Sequence, residues 1–338
     1  MLVGGEGTRL RPLTDTVPKP LLPVANRPFL HRVLDHVADH GVHEVVLSSP
    51  YLEETFGPFI EERRGDPKIT WITESYPLGT GGAIVNALPN LDPEAFFVLN
   101  GDILTDLDLT ALLEFHRAHE AVATITLSPV EDARPFGLVA TGPGGRVVEF
   151  REKPAELVPG NVNAGTYVLD PSALEGWPVG EMVSIEREIY PALIAADRPV
   201  FGFVTGAYWM DLGTPEKYLQ AHVDVLEGRI RAIDVPAPCV ADGAVIDPGA
   251  RLGPLVVVGP EASVAAGATV DESVLHAGCM VGEGARVAGS VLGPGSVVGR
   301  AAVLTGCVLG QAARVPDGMA ATGLRVPAGA AAVVPEIG

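Results

Sequence analysis

From Cys239 onward aliphatic residues recur every six positions: Val240, Ile246, Leu252, Val258, Val264 and Val270. After one step of five come Leu275, Val281 and Val287; after another, Leu292, Val298 and Leu304; after a third, Leu309 and Val315. The later positions therefore repeat every 17 residues. Aromatic residues are absent from this stretch, and Gly, Ala and Val dominate it. One inward aliphatic per six residues, with small residues at the corners, is the pattern of a parallel β-helix whose coils bury their aliphatics against one another. A flexible Gly/Ala-rich tail would carry no such spacing. Residues 320–338 read as a cap or tail.

The whole chain has 338 residues, room for two domains. Its net charge of −19 argues against general nucleic-acid binding. An anionic substrate would need locally gathered basic groups. Lysine is confined to Lys19, Lys68, Lys153 and Lys217, and two of these, Lys19 and Lys153, stand in proline-flanked motifs. Cys239, Cys279 and Cys307 are scattered and lack metal-site spacing, so buried free thiols are expected. There is no signal-peptide pattern and no apolar run near 18 residues, and the expected location is the cytoplasm.

Ahead of the coil, strands alternate with helices. Apolar strand segments fall at 44–48, 69–73, 95–99 and 123–127, and helical periods at 29–37, 83–88 and 109–119. Alternation of this kind implies a mostly parallel sheet with helices on both faces, which binds ligands at the carboxyl ends of its strands. Two glycine loops, Gly4-Gly5-Glu6-Gly7 and Gly79-Thr80-Gly81-Gly82, and Asp102 fall at such ends. Further on, 136–139 and 146–150 read as a hairpin, 163–169 as a strand, 184–196 as a helix, and Pro215 as the start of a helix to about Glu227. In the first loop, glycines let backbone N–H groups approach a ligand, and Arg9, Arg11 and Lys19 add positive charge suited to a polyphosphate.

These motifs, in order, resemble the sugar-1-phosphate nucleotidyltransferases (nucleotide-sugar pyrophosphorylases), most closely the mannose-1-phosphate guanylyltransferases. The residues that carry the resemblance are Gly4 to Leu10 with Pro18-Lys19-Pro20, Pro77 to Gly82, Asn100-Gly101-Asp102, Glu152-Lys153-Pro154, Asn163-Ala164-Gly165, Trp209-Met210-Asp211 and the six-residue repeats. The resemblance implies a Rossmann-like mixed sheet over residues 1–228, followed by a left-handed parallel β-helix over 229–338. It implies a nucleoside triphosphate and a hexose 1-phosphate as substrates, and pyrophosphate and a nucleotide-sugar as products. The sugar phosphate is itself the nucleophile, so catalysis is positioning and charge neutralisation.

By the same resemblance the catalytic set is Arg9, Lys19, Asp102, Lys153 and Asp211, with Mg²⁺ held by Asp102 and Asp211. Nucleotide contacts fall to Leu2, Gly4, Gly5, Gly7, Thr8, Arg9, Lys19, Glu74, Gly79, Thr80, Gly101 and Asp102. Sugar-phosphate contacts fall to Gly137, Glu152, Lys153 and Asn163. Glu74 faces the base edge in the family. A carboxylate only accepts hydrogen bonds, which suits the adjacent N1–H and N2–H donors of guanine and favours GTP.

Taken singly, Asp102 and Asp211 also read as turn or cap residues, Glu152 and Lys153 as an exposed pair, and Glu74 as a solvated glutamate. Alternatives are the same reaction with UTP, dTTP or ATP and glucose 1-phosphate, or a non-catalytic nucleotide-sugar-binding subunit, which would be expected to have lost Arg9, Lys19 or an aspartate. An acyl-transferring coil would want a histidine base, and the coil's one histidine, His276, reads as a surface residue. The coil is more simply an oligomerisation or regulatory module, giving a homo-oligomer. Relatives carry several more residues ahead of the first loop, where this sequence has only Met1, Leu2 and Val3. The first strand is therefore expected to be short, or the start to lie further upstream.

Overall fold

The computed structural model describes residues 1–5, 7–49, 53–63, 65–152 and 155–333. The chain forms two compact units, each assembled from separated segments: residues 1–5 with 33–209, and residues 6–32 with 210–338.

The first unit is built on a Rossmann-like mixed sheet. Strands Glu44–Ser49 and Lys68–Thr73 pair in parallel, with Glu44 opposite Lys68. Leu2 bridges both Ser48 and Asn100 in parallel, so the N-terminal residues lie between Glu44–Ser49 and Phe96–Leu99. Phe96–Leu99 then pairs antiparallel with the long strand Gly160–Leu169. Ala123–Val130 lies antiparallel on the other side of that strand, and Val200–Val204 continues the sheet in parallel. The hairpin Gly137–Thr141 with Val147–Glu152 joins through Leu138 opposite Val162. Residues 123–128 are buried at every position, as expected of a strand covered on both faces. Ala123, Ile125, Leu127, Tyr167 and Leu169 anchor the core.

Helices form where the apolar period places them, at Phe29–Asp39 and Leu109–Ala118, the latter capped by Asp108 accepting from the Ala111 N–H. A helix at Glu53–Glu62 has no counterpart in the periodic pattern, because Gly57 and Pro58 interrupt it. The predicted 184–196 helix opens with a π-helical turn, Ile185–Ile189, before the α-helix Tyr190–Ala195, and Ser184 caps it by accepting from the Arg187 N–H.

In the second unit three parallel sheets form the sides of a β-helix, or β-solenoid. Cys239 pairs with Val257, 18 residues on, and each later rung advances 17: Val257 with Val274, Val274 with Val291, Val291 with Val308. From Val258 to Val315 every member of the aliphatic series is 0–3% exposed. Burial of each such side chain is worth about 1.5–3 kcal/mol. The corners take left-handed backbone at Gly267, Gly278, Gly284, Gly289, Gly295 and Gly306, and also at Glu261, Glu272, Ala301 and Ala312. The coil runs further than the aliphatic series: Ala320–Thr322 and Arg325–Val326 pair in register with Val303–Thr305 and Val308–Leu309.

Two sides of the coil point outward into solvent, with Val245, Met280 and Val303 exposed. On the third side the outward residues Cys239, Val257, Val274, Val291 and Val308 are buried. The helix Pro215–Leu226 and the segment around Asn26 lie over this side. Asn26 donates to the Val258 carbonyl at 2.9 Å, Tyr218 stacks on His276, and Arg325 pairs with Glu216 at 2.8 Å. His276 is therefore not a surface residue; at 4% exposure it is covered by Tyr218. All three cysteines are free and buried.

Candidate functional site

In the first unit Leu2, Glu74 and Gly101, expected at the nucleotide, stand at or beside the carboxyl ends of neighbouring strand segments. Leu2 donates to the Leu99 carbonyl and accepts from the Gly101 N–H, each at 2.9 Å. A methyl at Gly101 would come within 2.7 Å of the Val3 side chain and 2.8 Å of the Leu2 oxygen, so glycine is required for that approach. Glu74 follows strand Lys68–Thr73 and is 7% exposed. Its Oε1 accepts from the Ser48 hydroxyl at 2.8 Å and its Oε2 from the Leu78 N–H at 3.0 Å. A carboxylate has about four acceptor positions. Two bonds therefore fix the group and leave two positions for a ligand. Gly5 has neither a positive φ nor any heavy atom of the described chain within 4 Å of where a Cβ would stand. Nothing among the described residues demands glycine there.

The second glycine loop has a different internal reason. Gly81 and Gly82 both donate to the Val183 carbonyl, at 2.9 and 3.0 Å, and a methyl at Gly82 would lie 2.2 Å from the Glu181 oxygen. A methyl at Gly79, with φ +68°, would lie 2.7 Å from the Val183 oxygen. The Thr80 hydroxyl donates to Glu186 at 2.6 Å and accepts from the Ile185 N–H at 3.0 Å. These glycines let the 181–186 segment pack directly on the helix Gly79–Ala87.

Gly137 and Glu152 face each other across the hairpin, and a methyl at Gly137 would lie 2.9 Å from Glu152 Oε2. Asn163 sits where the Gly160–Leu169 strand shifts register. Such irregularities re-aim side chains beside active sites. Its Oδ1 accepts from the Gly165 N–H at 2.9 Å and its Nδ2 donates to the Tyr167 hydroxyl at 2.8 Å. Burial, reinforced by the Glu186 charge, holds that phenol far above its ordinary range, so it stays protonated. Gly165 accepts from the Asn100 N–H at 2.8 Å, which places the Asn100-Gly101-Asp102 turn against Asn163. Trp209 donates to the Ala164 carbonyl at 2.9 Å and packs edge-on against Phe136. Ser48, Tyr167 and Phe136 were not expected here, while Asn100 belongs to the expected Asn100-Gly101-Asp102 motif. Tyr167 is hidden in an apolar run, and Ser48 lies 26 residues from Glu74, so only the pairing of their strands brings the two together. Lys153 lies outside the described residues.

The second unit holds the remaining expected residues. Gly7 has φ +61°, and its oxygen accepts from the Thr14 hydroxyl at 2.8 Å. A methyl on it would lie 3.1 Å from Thr14 and 3.3 Å from the Lys19 Cβ, so the loop and Lys19 are packed together. Thr8 and Arg9 begin a short 3₁₀ turn and are exposed; Lys19 begins another and is buried. Asp211 is joined by Lys217, whose Nζ donates to Oδ2 at 2.7 Å. Its Oδ1 is buried and has no hydrogen-bond partner among the described residues. A methyl at Gly213 would lie 2.5 Å from that oxygen and 3.1 Å from Arg9 Nη2. The missing side chain keeps the space in front of Oδ1 clear beside a guanidinium. An unpartnered carboxylate oxygen facing such a space fits a hard divalent cation. Among the described residues no group of three or more His, Cys, Asp or Glu could enclose a metal. No helix among them is long and apolar enough to cross a membrane.

Two family models match the chain: Nucleotidyl transferase over residues 1–228, and GMPPB C-terminal domain over residues 235–329. The mannose-1-phosphate guanylyltransferase of Mycobacterium tuberculosis is 40% identical over 290 residues, covering 81% of this chain and 78% of that protein. Mannose-1-phosphate guanylyltransferase 1 of Arabidopsis thaliana is 36% identical over 283 residues, with the same coverage. Among solved structures, HddC from Yersinia pseudotuberculosis complexed with GMP-PN is similar at 32% identity and a TM-score of 0.57, over 65% of this chain and 95% of that one. Sugar-1-phosphate nucleotidyltransferases of this kind are generally metal-dependent. With a model matched across residues 1–228 and relatives aligned over most of both chains, this chain belongs to the nucleotidyl transferase family.

Proposed function

We propose that the protein joins GTP and mannose 1-phosphate to give GDP-mannose and pyrophosphate. A phosphate oxygen of the sugar phosphate attacks the α-phosphorus of GTP in line. The bond from that phosphorus to the α,β-bridging oxygen breaks, and the pair of electrons leaves with pyrophosphate. No side chain forms a covalent bond, so the protein supplies position and charge.

The observation that carries the guanine assignment is the Glu74 carboxylate, buried and held by Ser48 and Leu78 with acceptor capacity to spare. Guanine presents two adjacent donors to such a group; uracil and thymine present one donor between carbonyls. The relatives named as guanylyltransferases support the same base and the same sugar. Leu2, Gly4, Gly5, Gly79, Thr80 and Gly101 would line the nucleoside, and Gly7, Thr8, Arg9 and Lys19 the triphosphate. Gly137, Glu152 and Asn163 would take the sugar hydroxyls, and Lys153 the sugar phosphate. Asp102 and Asp211 would hold Mg²⁺, which takes one or two carboxylates alongside phosphate oxygens and water. When bound, Mg²⁺ offsets the repulsion between the two anionic substrates. Residues 1–228 would form the catalytic domain and 229–338 the coil domain of a cytoplasmic homo-oligomer.

Pyrophosphate release with four nucleoside triphosphates against mannose, glucose and N-acetylglucosamine 1-phosphates, with Mg²⁺ and with chelator, tests this. The expected result is turnover of GTP with mannose 1-phosphate, abolished by chelator; preference for another pair would overturn it. Glu74→Gln is expected to reduce discrimination between GTP and UTP by roughly 10- to 100-fold. An unchanged GTP preference would sink the role given to Glu74.

A further inference from the structure

The segment 18–23 contains Pro18, Pro20 and Pro23, so few of its residues have an N–H with which to pair. Its carbonyls are held by groups from elsewhere in the second unit. Phe29 N–H donates to the Leu22 carbonyl at 3.0 Å, and just beyond the segment Arg32 donates to the Val24 and Ala25 carbonyls at 2.8 and 3.0 Å. The Pro23 carbonyl accepts from the hydroxyl of Tyr218. Tyr218 lies one turn into the helix Pro215–Leu226, which starts four residues after Asp211. It is fully buried, and its oxygen also meets Nε2 of His276, on the coil, at 3.3 Å. Since the hydroxyl proton is directed to Pro23, the His276 Nε2–H is the donor to Tyr218. The two rings stack at 24°, and His222, whose Nδ1–H donates to the Tyr218 carbonyl at 2.8 Å, closes the other side. Burial keeps both imidazoles neutral at physiological pH.

We propose that Tyr218, oriented by His276 of the coil, is a positioning residue for Lys19, so that the coil supports the grip on the nucleotide's triphosphate. The chain of contacts runs from the coil through one phenol to the carbonyl that ends the Lys19 segment. Lys19 itself is buried and turns directly into that segment, with Leu22 N–H donating to its carbonyl at 3.1 Å. Its Cβ lies against Gly7 of the glycine loop, so a shift of the segment moves the root of the Lys19 side chain relative to that loop. The inference rests on the reading of Lys19 as a triphosphate ligand.

The test uses the full chain with steady-state kinetics for each substrate and thermal melts of every variant. Tyr218→Phe removes only the hydroxyl, His276→Leu removes the donor, and His276→Gln restores an N–H near the position of Nε2. A displacement of about 1 Å at a positioned group costs up to roughly 100-fold. Folded Tyr218→Phe and His276→Leu proteins are therefore expected to lose roughly 10- to 100-fold in kcat/KM for GTP, chiefly through KM, with the KM for mannose 1-phosphate held within about 2-fold. His276→Gln should recover most of the loss, and Tyr218→Phe with His276→Leu should be no worse than Tyr218→Phe alone. A purely structural role would lower the melting temperature without this split between substrates. If Tyr218→Phe does not fold, the His276→Leu and His276→Gln pair decides alone. Unchanged GTP kinetics in the folded variants, while Lys19→Met loses GTP binding, would overturn the proposal and leave the site reading intact. If Lys19→Met itself binds GTP normally, the site reading fails and takes the proposal with it.

Discussion

Acidification is expected to destabilise the second unit through two buried histidines. Burial lowers His222 to about 4 and His276 to about 3, from the usual 6.5. For His222 the Tyr218 and Pro23 carbonyls oppose the burial effect while the Arg32 charge adds to it, and for His276 the neighbouring His222 adds to it. In the unfolded chain both titrate near 6.5. The native state binds neither proton between pH 6.5 and about 4, whereas the unfolded state binds both. Stability is thus fully present above pH 6.5 and is lost as pH falls toward the folded values. One proton corresponds to about 1.4 kcal/mol per pH unit, so the pair approaches a slope of ~2.7 kcal/mol per unit. Two such units would remove about 5 kcal/mol, a large share of the ~5–15 kcal/mol that holds a domain together.

Urea unfolding followed by far-ultraviolet circular dichroism between pH 7 and 5 reads this before most carboxylates titrate. His36 and His116, in the first unit, are also lowered by burial, so the informative quantity is a difference between variants. His276→Gln and His222→Gln should each reduce the slope by about 1.4 kcal/mol per pH unit at its steepest. Unchanged slopes in both variants would refute the reasoning. So would resonances assigned to the His222 and His276 imidazoles of the folded protein titrating near 6.5.

Asp211→Asn, which weakens the acceptor facing the Gly213 space, should reduce Mn²⁺ binding measured by electron paramagnetic resonance without substrates; an unaltered affinity would remove Asp211 from the metal site. Gly82→Ala should lower stability by about 1–3 kcal/mol, since a methyl meets the Glu181 carbonyl at 2.2 Å, and a melting temperature equal to wild type would show that the 181–186 segment yields freely. Leu292→Ala, at a fully buried rung position, should cost about 2–5 kcal/mol in urea denaturation. A cost below 1 kcal/mol would mean that the coil collapses around the lost volume.

The amino-acid sequence by itself determined the coil, because each rung is set by a local rule: an aliphatic inward every six or five residues and a corner between. Val258 through Val315 obey it with almost no exposure. It likewise determined a hairpin over 136–150 and a helix from Pro215, whereas the register that sets Gly137 opposite Glu152 and the cap in which Thr214 accepts from the Lys217 N–H came from the structure. The helix Glu53–Glu62 escaped because Gly57 and Pro58 oppose the local propensity that tertiary packing overrides.

What the tertiary structure decided was every feature that depends on residues far apart in the chain. His276 is buried because the helix Pro215–Leu226 covers one side of the coil. The second loop's glycines answer to the carbonyls of Glu181 and Val183, about 100 residues away. Glu74 is an oriented acceptor because Ser48, on the neighbouring strand, and Leu78 donate to it. Periodicity reports which face of an element is buried, but it does not name the partner. That choice belongs to long-range packing, and it turns scattered motifs into held functional groups.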